Sequence, residues 1–459
     1  MSMPLIDPSD TRPIHFVGIA GAGMNALAEL FFRQGVPITG CDAHPESAPD
    51  LERLGIQVTN HDVAHVAGAR ALVVTSAMPK DHPELVRARE LGIPVIRRAE
   101  ALGEATAGRE LIAIAGTHGK TTTTVMTTAA LDAAGRTPTA LAGGRVSAWQ
   151  GNLHPGSDRL YIVEADEYDR SFLTLSPTVA VVNNIDADHL DIYADLADIK
   201  RTFAQFARGA RTIVLCADDA GASSMITPSS TEVIRFGIDS ADARVVAKNL
   251  SLGPNGSTFH VVFDDEALGD VQLRIPGRHN VLNALAALSA GLAVGAKVPD
   301  MARGLESYAG VERRFQRLGE SRGVAVVDDY AHNPGKVQAA LATARIAFPG
   351  RRIIAAFQPH LYTRTRDFAR EFGASLAAAD LVYLTEIYPA REQPIEGVTS
   401  GLIGDALKSS GGTLAWRGER GTLAEALAGA VREGDVVVTI GAGDITRTGP
   451  ELLERLESK

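Results

Sequence analysis

The sequence predicts an α/β protein with mostly parallel sheets, divided into three domains. Two observations carry this. Short apolar runs alternate with helix-like stretches along the chain: ALVVTS at Ala71, YIVEAD at Tyr161, VAVVNN at Val179, TIVLCADD at Thr212, RIIAAF at Arg352, LVYLTE at Leu381 and DVVVTIGAG at Asp435. That alternation is the mark of βαβ units. Three further runs each open a block with a chemically unusual turn: IHFVGIAGAGM at Ile14, LIAIAGTHGKTTTT at Leu111 and GVAVVDDYAHNP at Gly323. A chain of 459 residues has room for three domains at about 100–200 residues each.

The polar, small-residue stretch Ala105–Arg109 and the turn at Ala309–Gly310 are the expected boundaries, giving domains 1–107, 108–309 and 310–459. Between Val233 and Arg274 short strands with turns (TFHVVF, VQLRI) suggest a small antiparallel insertion in the second block. The near-apolar run Val281–Ala296 reads as a buried helix.

Composition narrows the function. Aromatics are 5% and net charge is −10, so neither a base-stacking surface nor a polyanion wrap is expected, and no nucleic-acid partner. Any phosphate site must be local. Cys41 and Cys216 are the two cysteines, which favours a reducing cytosol over a disulfide framework. No apolar run reaches the ~18 residues of a span, so a cytoplasmic protein without membrane insertion is expected, as monomer or homodimer.

The second block carries the strongest chemistry. Gly116-Thr117-His118-Gly119-Lys120-Thr121-Thr122 lies between a strand and a helix. Glycines there let backbone N–H groups face a phosphate at a helix N-terminus. Lys120, read as an exposed turn lysine, can reach β- and γ-phosphates, and Thr121 can hold Mg²⁺. The spacing is not a strict Walker A, whose first glycine would fall at Ile114. Glu164, Asp166, Glu167 and Asp169 cluster after the next strand, where hard carboxylate oxygens suit Mg²⁺. His189 stands among Asp186, Asp188 and Asp191 after another strand and suits a metal or phosphate role. Asn280 and Asn283 share a helix face; they suit either an adenine contact or a cap with a buried amide, and spacing leaves both open.

In the first block Gly18, Gly21 and Gly23 follow a strand, and Asp42 ends the next one. This is a shifted dinucleotide-type turn, which by itself says only that a phosphate sits near a helix N-terminus. In the third block Arg313, Arg314, Asp328, Asp329, Tyr330, His332, His360, Arg364, Arg391 and Glu392 fall at strand ends. Several guanidiniums there look like clamps for carboxylate and phosphate.

Together GIAGAGM, AGTHGKTTTT, EADEYDRSF, NNIDADHLD, GRHNVLNALAA, VERRFQ, DDYAHNP, FQPHLYTRT and IYPARE resemble, in order and over nearly the whole chain, the Mur ligase family of peptidoglycan synthesis. FQPH…TRT and IYPARE look like its alanine-adding branch. The resemblance implies a Rossmann-like N-terminal domain for a UDP-sugar, a central P-loop-type ATPase and a Rossmann-like C-terminal domain bringing the amino acid. It implies UDP-N-acetylmuramate, L-alanine and ATP as reactants, with Mg²⁺. It places Gly18, Ala20, Gly21, Ala22, Gly23, Met24, Asp42 and Ser76 at the UDP-sugar, and Gly116 to Thr122 with Asn280, Asn283, Arg314, Asp328 and Asp329 at ATP. Thr121, Glu164 and His189 would hold metal, and Tyr330, His332 and Arg364 would meet alanine. Lys120, His189, His332 and Arg364 would be catalytic.

Two positions depart from the family pattern: Asn333 replaces a second His after the DY motif, and Leu361 replaces an Arg in FQPHRYTRT. With the phosphate turn in block two and Arg314 in block three, ATP is expected between them, with domain closure. A ligase adding a preformed murein tripeptide, a nicotinamide-dependent oxidoreductase and a non-catalytic nucleotide-binding regulator are the alternatives.

Overall fold

The computed structural model describes residues 4–7, 9–75, 78–187, 192–390 and 392–458. They fall into two compact units. The first is Met1–Leu250 with Thr258–Leu273 and Asn280–Ala309; the second is Gly310–Lys459 with Ser251–Ser257 and Arg274–His279. The α/β class with mostly parallel strands is as the sequence predicts.

The first unit holds two sheets. One has strands β1 (Ile14–Val17), β2 (Ile38–Cys41), β3 (Val58–Thr59), β4 (Ala71–Val74) and β5 (Val95–Arg97) in the order β3-β2-β1-β4-β5. Every pairing in it is parallel. Strands β1 and β4 are buried at every position, which is why they read as unbroken apolar runs rather than alternating ones. The helices are α1 (Ala22–Arg33), α2 (Pro49–Arg53), α3 (Pro83–Leu91) and α4 (Arg98–Thr106). Strand order reverses around β1, so the turn after β1 lies at the switch point where open α/β sheets form a crevice.

The other sheet has ten strands: β6 (Glu110–Ala115), β7 (Pro138–Val146), β8 (Gly151–His154), β9 (Ser157–Glu164), β10 (Val179–Val182), β11 (Thr212–Cys216), β12 (Glu232–Gly237), β13 (Val245–Gly253), β14 (Gly256–Phe263) and β15 (Glu266–Leu273). Their order is β15-β14-β13-β12-β11-β10-β6-β9-β7-β8. Strand β6 lies between parallel neighbours β9 and β10, so three C-terminal strand ends emerge side by side. The segment expected as an insertion instead prolongs this sheet, because β13 pairs parallel to β12 and covers the edge that β12 would otherwise leave open. Helices α5 (Lys120–Ala133), α6 (Leu196–Ala207), α7 (Ala220–Ser223), α8 (Arg278–Ala293) and α9 (Val298–Glu306) complete the unit. The helix expected over Val281–Ala296 is α8, which buries an almost unbroken run from Asn280 to Gly291.

Residues 107–109 link α4 to β6 inside this unit. The two sheets are tied across it by Asp50 to Arg145 (3.1 Å), by Gln34 Nε2 donating to the Tyr161 hydroxyl (3.1 Å) and by Thr174 Oγ1 donating to the Ala99 carbonyl (2.8 Å). Helix α4 seats closely: a Cβ on Gly103 would lie 2.6 Å from the Thr174 carbonyl oxygen.

The second unit is a six-stranded sheet of β16 (Gln316–Ser321), β17 (Val324–Asp329), β18 (Arg352–Phe357), β19 (Leu381–Thr385), β20 (Leu414–Gly418) and β21 (Asp435–Ile440), in the order β16-β17-β21-β18-β19-β20. Only the pairing of β16 with β17 is antiparallel among the described residues. Side chains alternate between faces: Ala325 and Val327 pack with helices α10 (Pro334–Ala347), α11 (Tyr362–Leu376) and α12 (Gly401–Ser409), whereas Val324 and Val326 pack with α13 (Arg420–Ala430) and α14 (Thr448–Glu457). No helix among the described residues is long and apolar enough to cross a membrane.

Gly103→Val should force the seat of α4 open. The expected cost is about 1–3 kcal/mol of overpacking, read as a lower urea midpoint. A midpoint equal to wild type would show that α4 does not need this close approach.

Candidate active site

The turn after β6 is shaped by two glycines with positive φ, Gly116 at 143° and Gly119 at 78°. A side chain at Gly119 would also strike the Asn283 carboxamide oxygen. The turn is zipped to the segment after β10. Thr117 N donates to the Asn184 carbonyl (3.2 Å), His118 N to Asn184 Oδ1 (2.7 Å), and Asn184 Nδ2 back to the His118 carbonyl (3.2 Å). Asp186 N donates to Thr117 Oγ1 (3.0 Å), and His118 Nε2 lies 3.0 Å from Asp186 Oδ2. The amides of Thr117 and His118 are thus engaged by protein. The donors left for an anion are those of the first turn of α5, which have no intrahelical acceptor.

Lys120 is the first residue of α5, and the structure corrects the reading of it as an exposed turn lysine. Its side chain is 17% exposed, and Nζ donates to Glu167 Oε2 (2.6 Å) and the Gly116 carbonyl (2.7 Å). Burial disfavours the ammonium, but Glu167, then Asp166 and Glu164, outweigh it and hold the pKa above its ordinary value. Glu167 is itself buried, and the Tyr193 hydroxyl donates to its carbonyl (2.5 Å). Glu164 ends β9 half-buried and accepts from Gly143 N (2.6 Å). Thr121 and Thr122 are buried in the first turn of α5.

Asn280 and Asn283 lie behind the turn. Asn183 Nδ2 donates to Thr123 Oγ1 (2.9 Å), Thr123 Oγ1 to Asn283 Oδ1 (3.2 Å), and Asn283 Nδ2 approaches Asn280 Oδ1 (3.4 Å). The chain of amides braces Gly119 from the α8 side.

In the first sheet Gly18 has φ of 81°, and Gly18 N and Ile19 N both donate to the Cys41 carbonyl (2.8 and 3.1 Å). Ala20 N donates to Asp42 Oδ2 (3.0 Å), so Asp42 holds the glycine turn. Gly21 caps α1, Ala22 opens it and Met24 is buried. A Cβ on Gly23 would come within 2.9 Å of Arg98 Nη1. Arg98, which sequence reasoning passed over, lies 3.8 Å from Asp166 and so connects the glycine turn to the acidic strand end. The doublet Arg97-Arg98 before a helix was the available signal. Ser76, His189 and Arg391 lie outside the described residues.

In the second unit the aspartate pair divides its work. Asp328 is fully buried and accepts from Thr439 Oγ1 (2.6 Å) and Thr446 Oγ1 (2.7 Å). Asp329 accepts from Phe315 N and Ala331 N (both 2.8 Å). Burial pushes its pKa up to about 6, against the pull of Arg314. Arg313 is a clasp: it donates to the Gly441 carbonyl (2.7 Å) and lies 3.4 Å from Asp328. Both Arg313 and Arg314 lie over the Tyr330 ring, at 4.7 and 5.2 Å. His332 Nδ1 bonds the Tyr330 carbonyl (2.9 Å). Burial first, then Lys336, Arg364 and Arg314, hold His332 well below the ordinary imidazole pKa.

The two family departures have local accounts. Asn333 caps α10, its Oδ1 accepting from Lys336 N (2.9 Å), a position that favours Asn. Leu361 sits at φ of 71° at the N-cap of α11, one turn from Arg364. Glu392 accepts from Thr363 N (2.9 Å) in that first turn.

Three described Mur ligase domains match the chain in succession: the "Mur ligase family, catalytic domain" over residues 13–110, the "Mur ligase middle domain" over 114–291 and the "Mur ligase, glutamate ligase domain" over 313–443. The UDP-N-acetylmuramate–L-alanine ligase of Cutibacterium acnes is 42% identical across 99% of this chain and 98% of its own length. That of Acidothermus cellulolyticus is 42% identical across 97% of this chain and 95% of its own. Among solved structures, the UDP-N-acetylmuramate-alanine ligase of Thermotoga maritima superposes with a TM-score of 0.84 at 29% identity, covering 97% of this chain and 99% of that one. A murein peptide ligase from Psychrobacter arcticus superposes at 0.73 with 25% identity, over 97% of this chain and 99% of its own. The chain belongs to the Mur ligase family.

Proposed function

We propose that this protein joins L-alanine to the carboxylate of UDP-N-acetylmuramate at the expense of ATP, releasing ADP and phosphate, in the making of peptidoglycan precursor. The observation that carries the reading is the charged, held Lys120 at the head of α5, in a chain whose full-length relatives at 42% identity are named for this reaction.

A muramate carboxylate oxygen attacks the γ-phosphorus, the bond from the β–γ bridging oxygen to that phosphorus breaks, and an acyl phosphate and ADP form. Lys120 and the first-turn amides of α5 bind and neutralise the phosphates. The alanine nitrogen then attacks the acyl carbon, the carbon–oxygen bond to phosphate breaks, and the nitrogen gives up a proton. His332, neutral and close to the Arg364 charge that would attract a carboxylate, is the group we assign to take it. The glycine turn Gly18–Gly23, with Asp42 and Arg98, is assigned to the sugar nucleotide.

The residues at the phosphate turn fit Mg²⁺. Thr121 hydroxyl, Glu164 and the neighbouring carboxylates of Asp166 and Glu167 are hard oxygen donors. Bound there, the ion would supply positive charge to the transferring phosphoryl group. The tripeptide-adding reading keeps a claim through the Psychrobacter structure, but that superposition is looser than the alanine ligase's, 0.73 against 0.84.

ADP release should require UDP-N-acetylmuramate and be fastest with L-alanine when glycine, L-serine and murein tripeptide are offered in turn. A preference for tripeptide would move the chain to the peptide-adding branch, and NADH turnover without ATP would dismiss both.

Lys120→Met alone should destabilise the protein by about 3–5 kcal/mol, since it takes the ammonium away from the buried Glu167 carboxylate. The double variant Lys120→Met/Glu167→Gln should recover most of that stability in urea while its turnover stays down by about 10²-fold or more. Recovered activity in the double variant would remove Lys120 from the chemistry.

The His332 imidazole should stay neutral from about pH 8 down to about pH 6, where an unperturbed one titrates. Histidine NMR compared with His332→Gln identifies its resonance; a midpoint inside that window would contradict the neutral-base assignment.

A further inference from the structure

The first sheet gathers side chains that the ligase chemistry does not use. His15 on β1, Cys41 at the end of β2, His65 in the 3₁₀ turn Val63–Gly68 and Glu84 at the head of α3 converge, each with a potential ligand atom within 4.8 Å of the others. Cys41 Sγ lies 3.3 Å from His15 Nε2 and 3.2 Å from Glu84 Oε2, and His65 Nδ1 lies 3.7 Å from Glu84 Oε1. We propose that these four residues form a site for a zinc-class divalent ion, bound through His15 Nε2, Cys41 Sγ, His65 Nδ1 and a Glu84 oxygen.

These three separations suit a tetrahedron, and the remaining pairs lie within 4.8 Å. Metal–sulfur bonds of about 2.3 Å and metal–nitrogen bonds of about 2.0–2.1 Å place neighbouring ligand atoms roughly 3.3–3.7 Å apart. The opposite ring nitrogens are held by threonines: His15 Nδ1 by Thr39 Oγ1 (2.9 Å) and His65 Nε2 by Thr59 Oγ1 (3.3 Å). Such outer hydrogen bonds orient a ligating imidazole and set its tautomer. His65 Nδ1 is buried without a hydrogen-bond partner, a costly arrangement that an ion relieves. Glu84 is 1% exposed and accepts from Asp62 N (2.8 Å), which fixes its carboxylate. On the more open side, His61 Nδ1 and His82 Nδ1 lie 3.4 and 3.8 Å from Glu84 Oε2 and offer a second set sharing that residue. The first set is preferred because it contains the Cys41 sulfur and the two threonine-anchored rings. The Cys41 carbonyl accepts from the Gly18 and Ile19 amides, so an ion on Cys41 would stiffen the strand end that carries the glycine turn.

Co²⁺ added to the untagged full-length chain in excess Mg²⁺, which keeps hard-oxygen sites filled, tests this. One equivalent should give intense tetrahedral visible bands and a thiolate-to-cobalt charge-transfer band, displaced by Zn²⁺. The charge-transfer band should vanish in Cys41→Ser and persist in Cys216→Ser, and His65→Gln should weaken binding at least about tenfold. Circular dichroism establishes that each variant is folded. Absence of the charge-transfer band in wild type, or its survival in Cys41→Ser, would overturn the proposal. So would Co²⁺ binding that lacks the band and is lost only in His61→Gln/His82→Gln.

Discussion

Everything at the phosphate turn depends on β6 ending between two parallel neighbours. Because β9, β6 and β10 leave the sheet side by side, the loops that follow them must share one small volume. Backbone polar groups crowded there need partners. Asn184 supplies three of the bonds, and Glu167 supplies the acceptor for Lys120. The turn is therefore shaped by protein before any nucleotide arrives, which is the condition under which fixed donors stabilise developing charge most effectively.

That arrangement assigns work among the donors. With the Thr117 and His118 amides bonded to Asn184, the groups that the proposed chemistry leaves to meet an anion are the start of α5 and the Lys120 ammonium. Glu167 keeps the ammonium charged and aimed, yet a phosphate must compete with it. The acidic strand end therefore both prepares the lysine and sets a threshold for nucleotide binding. Extra positive charge lowers that threshold, a reason for hard oxygen donors and a lysine to stand together.

The class of fold was legible because buried parallel strands read as unbroken apolar runs, and the strand–turn–helix at Gly116–Thr122 because Gly-Lys-Thr sits between a strand and a helix. What was not legible lies in contacts between distant segments. The burial of Lys120 follows from Glu167, 47 residues away, and no local pattern announces that pairing. Asn283 reaches Thr123 across 160 residues, so the two readings open for a helical Asn pair could not be separated by spacing. The strands β13 to β15 looked like an insertion because their short, turn-rich pattern differs from that of the parallel strands; register with β12 is a tertiary fact. The cluster on Cys41 is the extreme case. His15, His65 and Glu84 follow no metal-binding spacing, and only the order β3-β2-β1-β4-β5 and the packing of α3 bring them together.

The two halves of the proposed chemistry ask for opposite electrostatics, and burial alone favours only one of them. Phosphoryl transfer needs a cation that stays charged, whereas acyl transfer to an amine needs a base that stays neutral. Lys120 and His332 are both desolvated, and desolvation pushes both toward the neutral form. The difference is the sign of their neighbours. Carboxylates surround Lys120 and reverse the effect of burial. Lys336, Arg364 and Arg314 surround His332 and add to it. Exchanging either set of neighbours would push its site toward the wrong charge state, so the identity of these flanking charges constrains the enzyme as well as the glycines that shape its turns.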